Sequence, residues 1–166
     1  VGPVSSSRRP SIGLVADPSL PVATIERMEE DYFVRSDDPI MINGKGETRK
    51  LLANKDTIGL SDRCKLKFYV PNAASNTARL DLSGARHPRL DVRQAILMDR
   101  EIIIGRKSSA HIRNERSSET LVLFVKDGYL YSRTRETVEV EGQALADNMA
   151  LPLERPIQIG DMSLVI

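Results

Sequence analysis

The sequence repeats itself after 98 residues, and this repeat constrains the fold more than any other feature of the chain. A shift by 98 residues places identical residues together at five positions of the window 7–44: Arg8 and Arg106, Ser11 and Ser109, Ser19 and Ser117, Arg35 and Arg133, and Gly44 and Gly142. Ile40 and Val138 keep the same register, and one inserted residue later brings Leu52 onto Leu151. Because a slip by one residue turns every side chain of a strand to the opposite face, a constant register indicates two copies of one unit.

Within each copy, short apolar segments are separated by turn residues. Val22–Arg27 ends in the charged segment 28–31, and Ile40–Ile42 runs into Asn43-Gly44, which is a strong hairpin signal. Lys65–Val70 alternates lysines with apolar residues, which is typical of a half-buried strand. Since no segment keeps a 3.6-residue apolar period, we predict an all-β fold with no α-helix longer than about two turns.

The repeat predicts two domains, residues 1–72 and residues 73–166, joined through the connector Pro71–Asn76. Thr77–Leu82 and Ala95–Met98 are predicted to open the second copy, and the corresponding strands of the first copy would precede Val1. The first copy is therefore expected to be incomplete at its N-terminus, and to borrow a strand or to leave an edge that must be covered. A start at Val1 rather than at Met is also compatible with a fragment of a longer chain that carries flanking domains.

Composition excludes several classes of function. The 24 Lys and Arg residues nearly balance the 23 Asp and Glu residues, so no global field attracts nucleic acid or an anionic membrane. No apolar run approaches the ~20 residues that a membrane-spanning helix needs, and no membrane insertion is expected. Cys64 is the only cysteine, which predicts no disulfide framework and favours a reducing, cytoplasmic location.

The sequence also gives no sign of catalysis. His87 and His111 lie far apart, and with a lone cysteine they do not form a set of metal ligands. No nucleophile with its base and no pair of carboxylates stands out, so we expect neither an enzyme nor a cofactor.

The segment 101–131 has the features of an anion-binding site. The strand-forming run Ile102–Ile104 ends at Gly105-Arg106, and a polar loop with Ser117 and Ser118 follows. Because loops cluster at the ends of a sheet, we expect these residues to converge with Arg135 at one end of the second unit, with Arg106 partly exposed. A guanidinium and several hydroxyls are suitable donors for a phosphate group.

The motifs of both copies resemble those of forkhead-associated (FHA) domains. In the second copy Gly105-Arg106 matches the Gly-Arg that follows the family's second strand, and Ser117 stands at the family's serine position. Ser118 occupies the position of the following arginine, Thr120 that of the histidine, and Glu136 that of the peptide-contacting asparagine. In the first copy the frame residues match, and Arg8, Ser19 and Ser36 stand at the arginine and serine positions, although Ser7 replaces the glycine.

The resemblance implies tandem FHA-like β-sandwiches and a phosphothreonine-peptide-binding adaptor or signalling module that acts mainly through the second copy. It implies a phosphopeptide site formed by Arg106, Ser117, Ser118, Arg135 and Glu136, with weaker candidates in the first copy at Arg8, Ser19 and Ser36. Glu136 opposes phosphate binding, because a carboxylate repels a phosphate and cannot donate as asparagine does.

One alternative remains open. Degenerate repeats can form a structural or phospho-independent protein–protein interaction module. In that case Gly105 only meets a backbone requirement, and Ser117 only holds its own loop. The expected partner is a protein or a phosphothreonine peptide in either case.

Overall fold

A computed structural model of the chain describes residues 1–72, 74–90, 92–153 and 155–164. These residues form strands, turns and loops without an α-helix, which confirms the all-β prediction. They contain no helix of the length and apolar character needed to cross a membrane. The chain divides into two compact units, Val1–Leu97 (unit 1) and Met98–Ile166 (unit 2).

Unit 1 is built around one curved sheet. Its strands are β1 Gly2–Pro3, β2 Gly13–Leu14, β3 Ala23–Met28, β4 Asp31–Ile42, β5 Lys45–Leu51, β6 Thr57–Ser61, β7 Cys64–Tyr69, β8 Ala78–Gly84 and β9 Gln94–Leu97. β1 and β2 form a parallel pair, and the others follow the order β3-β4-β6-β7-β8-β9 with β5 paired to β4. The pairing of β4 with β5 shifts register between Arg35 and Ile40, where the long strand bends.

The core of unit 1 follows the alternation in its sequence. On β7, Cys64, Leu66 and Phe68 are buried while Lys65 and Lys67 are exposed, which confirms the half-buried strand predicted for this segment. Burial raises the pKa of the Cys64 thiol. The side chain is therefore a protonated core residue at neutral pH.

β8 and β9 lie in unit 1, whereas the sequence repeat assigned their residues to the second domain. β8 pairs antiparallel with β7, and β9 pairs with β8. Ala78, Leu80 and Leu82 of β8 are buried in the core of unit 1, so this hairpin covers the edge of β7. The compact units thus divide after Leu97 rather than after residue 72. Residues 73 and 166, the predicted limits of the second domain, lie outside the described residues.

The described residues of unit 2 form two four-stranded sheets. Its strands are β10 Glu101–Gly105, β11 Ile112–Arg113, β12 Leu121–Lys126, β13 Tyr129–Arg133, β14 Val138–Val140, β15 Gln143–Ala144, β16 Ile157–Ile159 and β17 Met162–Leu164. The sheet orders are β11-β10-β12-β13 and β15-β14-β16-β17. The buried core residues come from both sheets and from the chain before β16: Ile104, Leu121, Leu123, Leu151, Ile157 and Ile159.

The strands of the two units correspond through the 98-residue shift. β3 and β12 start and end 98 residues apart, and β13 with β14 spans the positions of β4. The hairpin turns also match, since Asn43-Gly44 has φ values of 52° and 82° and Glu141-Gly142 has 53° and 79°. Positive φ at both central residues is the requirement of the tight hairpin turn, and the turn predicted at Asn43-Gly44 is confirmed.

In unit 1 a buried carboxylate supports this turn. Asp56 accepts hydrogen bonds from the Asn43 side-chain amide at 2.7 Å and from the Ala53 N–H at 2.9 Å, and Lys50 Nζ lies 3.5 Å away. Burial alone would raise the pKa of Asp56, but these two hydrogen bonds and the charge of Lys50 outweigh it and hold the pKa below its ordinary value. Asn43 Oδ1 in turn accepts from the Thr57 N–H at 2.8 Å, so the turn is fixed to the start of β6.

Unit 2 makes the same link with different chemistry. Glu141 occupies the position of Asn43, and Arg155 occupies that of Asp56 once the single inserted residue is counted. Their side chains form an exposed ion pair with an N–O distance of 3.7 Å. A buried hydrogen-bonded carboxylate in one copy is therefore replaced by a surface charge pair in the other.

Candidate functional site

The candidate site begins where β10 ends. Gly105 is buried, and a Cβ added there would lie 3.3 Å from Thr120 Oγ1 and 3.7 Å from Thr120 Cα. The strand and the residue before β12 thus approach more closely than a side chain comfortably permits. A side chain at position 105 would displace the Thr120 hydroxyl by a few tenths of an ångström, so glycine suits this close approach, and the strand ends here with Arg106 exposed.

Arg106 is exposed and held by one hydrogen bond. Its Nε–H donates to the Glu115 carbonyl at 3.0 Å, which fixes the base of the guanidinium plane to the loop after β11. Among the residues that the structure describes, no carboxylate lies within ion-pair distance of Arg106. The side chain is positioned while its terminal N–H groups stay available to an anion.

The two serines of the loop are bonded within the chain. Ser117 Oγ donates to the Glu119 carbonyl at 2.7 Å, so its proton holds the loop rather than pointing to a ligand. Ser118 Oγ donates to Glu136 Oε1 at 3.3 Å, a long and exposed contact. Ser118 thus makes the weaker of the two bonds, which is the more easily exchanged for another acceptor.

Glu136 joins the loop between β13 and β14 to this serine loop. Its backbone N–H donates to Thr134 Oγ1 at 3.1 Å, and its carboxylate carbon and Oε2 both lie 3.2 Å from the position of a Cβ on Gly160. Gly160 has a φ of 52°, so this turn brings its Cα close to the carboxylate. Arg135, next to Glu136, is exposed and has no carboxylate partner among the described residues.

These contacts bring part of the predicted site together. Ser117, Ser118 and Glu136 line one small cavity of about 70 Å³. Arg106 is tied to the same loop through Glu115, whereas Arg135 lines a neighbouring cavity of about 540 Å³. Glu119, Glu136 and Asp161 also line the small cavity, so their carboxylates repel an anion from its interior.

The same positions of unit 1 are closed by internal bonds. Arg8 Nη1 lies 2.6 Å from Asp37 Oδ2, and the two side chains are 73% and 74% exposed. Ser19 donates its hydroxyl and its N–H to Asp17, and these bonds lower the pKa of that carboxyl. Ser36 donates to the Val22 carbonyl at 3.2 Å. Each of the three candidates in the first copy thus has a partner within the chain.

The sequence contained one signal that motif analysis missed. The 98-residue shift places Asp37, the partner of Arg8, on Arg135. In unit 1 a carboxylate neutralises the arginine, and in unit 2 a second cation stands at the corresponding position. The carbonyl of Glu115 was also missed, because a backbone acceptor has no signature in the side-chain sequence.

The histidines take no part in this site. His111 is buried, and its Nδ1 accepts a hydrogen bond from the Ile103 N–H at 2.8 Å. His87 Nδ1 accepts from the Arg89 N–H at 3.1 Å. Within the described part of the chain no group of three His, Cys, Asp or Glu residues is placed to hold a metal ion.

Neither the models of protein families, nor the curated proteins, nor the solved structures contain a match to this chain.

Proposed function

We propose that the chain is a tandem pair of FHA-like units whose second unit binds phosphothreonine-containing segments of partner proteins. The observation that carries the proposal is the contrast between two equivalent arginines. Arg8 is neutralised by Asp37 at 2.6 Å, whereas Arg106 is held at its Nε by a carbonyl and meets no carboxylate among the described residues. The guanidinium of unit 2 is thus positioned for an anion that comes from outside the chain.

A phosphothreonine suits this arrangement. It carries about −1.5 to −2 charges and three strong acceptor oxygens. Arg106 offers its terminal N–H groups as charge-assisted donors, and Arg135 adds a second cation from the neighbouring loop. Ser118 supplies a hydroxyl, because its 3.3 Å bond to Glu136 can be exchanged for a bond to phosphate. Ser117 contributes by fixing the loop through the Glu119 carbonyl.

Glu136 sets the limit on affinity. Its carboxylate lies beside Ser118, and a doubly charged phosphate at that hydroxyl meets its repulsion. The proposal therefore requires the arginines to outweigh one carboxylate, and it predicts a binding strength that depends on salt.

The second candidate function is a phospho-independent interaction module. One observation favours it: both serine hydroxyls already have acceptors within the chain, at Glu119 and Glu136. In that case unit 2 presents the same loops to an unmodified partner, and phosphorylation of a peptide does not increase its affinity.

Calorimetric titration with phosphothreonine peptides and their unphosphorylated forms separates the two functions. Arg106→Ala should cost about 1.5–3 kcal/mol of binding free energy, the contribution of a hydrogen bond to a charged group. Glu136→Asn should strengthen binding, since it removes a repulsive charge and adds a donor. Arg8→Ala is the matched control, because the equivalent arginine of unit 1 is already paired. Equal binding of both peptide forms, or an unchanged affinity of Arg106→Ala, would contradict the proposal.

A further inference from the structure

A gap in the strand pairing of unit 2 distinguishes it from unit 1. In unit 1, β5 follows β4 across its bend, pairing Glu47 with Ile40 and then Arg49 with Arg35. In unit 2, β15 pairs with β14, and Leu145 N–H donates to the Val138 carbonyl at 2.7 Å. Within the described segment 146–150, no backbone hydrogen bond to β13 follows.

A turn moves the chain away from β13 at this point. Asn148 has a φ of 62°, and the Met149 N–H donates to the Ala146 carbonyl at 3.3 Å. The chain returns only at Leu151, whose N–H donates to the Leu130 carbonyl at 2.7 Å, as Leu52 donates to Tyr32 in unit 1. The space between holds the cavity of about 540 Å³, which is lined by residues 132–138 and 145–149; we call it the β13 groove.

The backbone of Ser132 faces this groove. Successive residues of a strand direct their N–H and C=O groups to opposite edges, and the Leu130 carbonyl already points to the groove edge. Ser132 therefore directs its own N–H and C=O to the same edge. Its equivalent in unit 1 is Val34, which is paired with Lys50 of β5. Among the described residues of unit 2 no backbone group fills the place of Lys50.

We propose that the β13 groove binds an extended peptide segment, which pairs with β13 as β5 pairs with β4. The inference rests on the proposed function, and the segment consists of the residues that flank the phosphothreonine. Thr134 and Glu136 line both the small cavity beside Ser118 and the β13 groove, so a peptide whose phosphothreonine lies at the serine loop can continue into the groove.

The walls of the groove define the side chains that fit. Val138, Leu145 and Met149 offer apolar surface, and Met149 is 54% exposed. Arg133 is held with its guanidinium carbon 5.2 Å from the centre of the Phe124 ring, and so gives the strand side a fixed positive charge. The groove thus suits an extended segment with at least one aliphatic side chain near the phosphothreonine.

A backbone N-methyl scan tests the pairing. Nonapeptides with a fixed phosphothreonine are screened, and the tightest binder is methylated at one amide nitrogen at a time. Methylation should weaken binding by about five- to tenfold at every second position beside the phosphothreonine, because one backbone hydrogen bond is lost there. It should have little effect at the positions between. Losses without this alternation would overturn the inference.

A graft and a small probe separate the inference from the proposed function. In the graft, residues 146–150 are replaced with the four residues 48–51 of β5, Thr-Arg-Lys-Leu, which also removes the single inserted residue. This replacement should close the groove. Peptide affinity should then fall to that of N-acetyl-phosphothreonine methylamide, while the affinity of this small probe stays unchanged. Amide exchange in the wild-type protein avoids any folding defect of the graft, and the Ser132 amide should be protected by the peptide but not by the small probe.

Each outcome has one meaning. If the small probe binds and the full peptide gains neither affinity nor protection of Ser132, the inference alone is overturned. If unphosphorylated peptides bind equally well with the alternating pattern, the groove stands and the phosphate function is overturned. If no probe binds, both are overturned.

Discussion

The substitution Arg135→Asp tests whether one charge separates unit 2, the proposed binding unit, from unit 1. It gives unit 2 the carboxylate that Asp37 supplies in unit 1, where that carboxylate lies 2.6 Å from Arg8. Two effects follow. The new carboxylate would stand where Asp37 stands beside Arg8, and it would replace a cation near the proposed phosphate position with an anion.

The magnitudes decide which effect dominates. An exposed ion pair such as Arg8–Asp37 contributes about 0–1 kcal/mol, so competition for Arg106 is the smaller effect. Two unit charges about 4 Å apart interact by about 1 kcal/mol in water. Reversing one charge beside a group with about two charges therefore changes the energy by about 4 kcal/mol before screening. Salt and exposure reduce this to roughly 1–2 kcal/mol, which corresponds to about 5- to 30-fold weaker binding.

Fluorescence anisotropy with a labelled phosphothreonine peptide measures the effect at about 50 mM and 500 mM salt. The peptide affinity should be highest for the wild type, lower for Arg135→Ala and lowest for Arg135→Asp, and these differences should be smaller at the higher salt concentration. Lys126→Asp is the matched control: it makes the same change in net charge at the far end of β12 from Leu121, which pairs with Ile104. Equal affinities of Arg135→Ala and Arg135→Asp, or an equal loss in the control, would refute the electrostatic argument.

Two further predictions concern stability. The pKa of Asp56 is lowered in the folded protein, so its carboxylate stabilises unit 1 at pH values above the ordinary aspartate pKa of about 3.9. This stabilisation is lost as the pH falls through the lower folded pKa. In Asp56→Asn the urea concentration at the unfolding midpoint should therefore decline less steeply between about pH 5 and pH 2 than in the wild type. An equally steep decline in the variant would show that other carboxylates cause it. Leu80 is fully buried in unit 1, so Leu80→Ala should cost about 2–5 kcal/mol in the unfolding of residues 1–97 and leave amide exchange on β12 unchanged. Loss of protection on β12 would place β8 with unit 2 instead.

The sequence predicted the local features of the fold because their signals are local. Alternation of lysines with apolar residues identifies β7, and Asn43-Gly44 specifies a turn with positive φ whatever lies around it. The placement of β8 is a different problem. The alternation of its buried residues Ala78, Leu80 and Leu82 would be the same if β8 were paired with unit 1 or with unit 2. The pattern therefore predicts which face of the strand is buried, but not the neighbouring strand with which β8 pairs.

For the candidate site, too, the sequence indicated the local segments but not the contacts between them. Gly105-Arg106 and the serine loop were located from the order of residue types, and the structure ties them together through Glu115 and Glu136. The bond that Ser117 makes was left open, because a serine hydroxyl can reach either a loop carbonyl or a ligand. The choice depends on the conformation of residues 117–119, which no pattern of side chains specifies.

Two pairs of interacting residues in unit 1 have different residues at the equivalent positions of unit 2. In one pair both residues differ, and in the other only one does. Asn43 and Asp56 become Glu141 and Arg155, and a link between the same two turns is kept because both partners changed together. Arg8 and Asp37 become Arg106 and Arg135, and here only one partner changed, which places two cations at the positions of an ion pair.

The nearest acidic neighbour does not restore the balance. Glu136 directs its carboxylate to Ser118 and Gly160, and it forms no ion pair with either arginine among the described residues. An anion that reaches either guanidinium therefore meets no carboxylate of the described chain that is already paired with it. A structural role for Arg106 would be served equally well by an acidic residue at position 135, as Asp37 serves Arg8. The loss of that carboxylate from unit 2 alone is therefore what favours a binding role over a structural one.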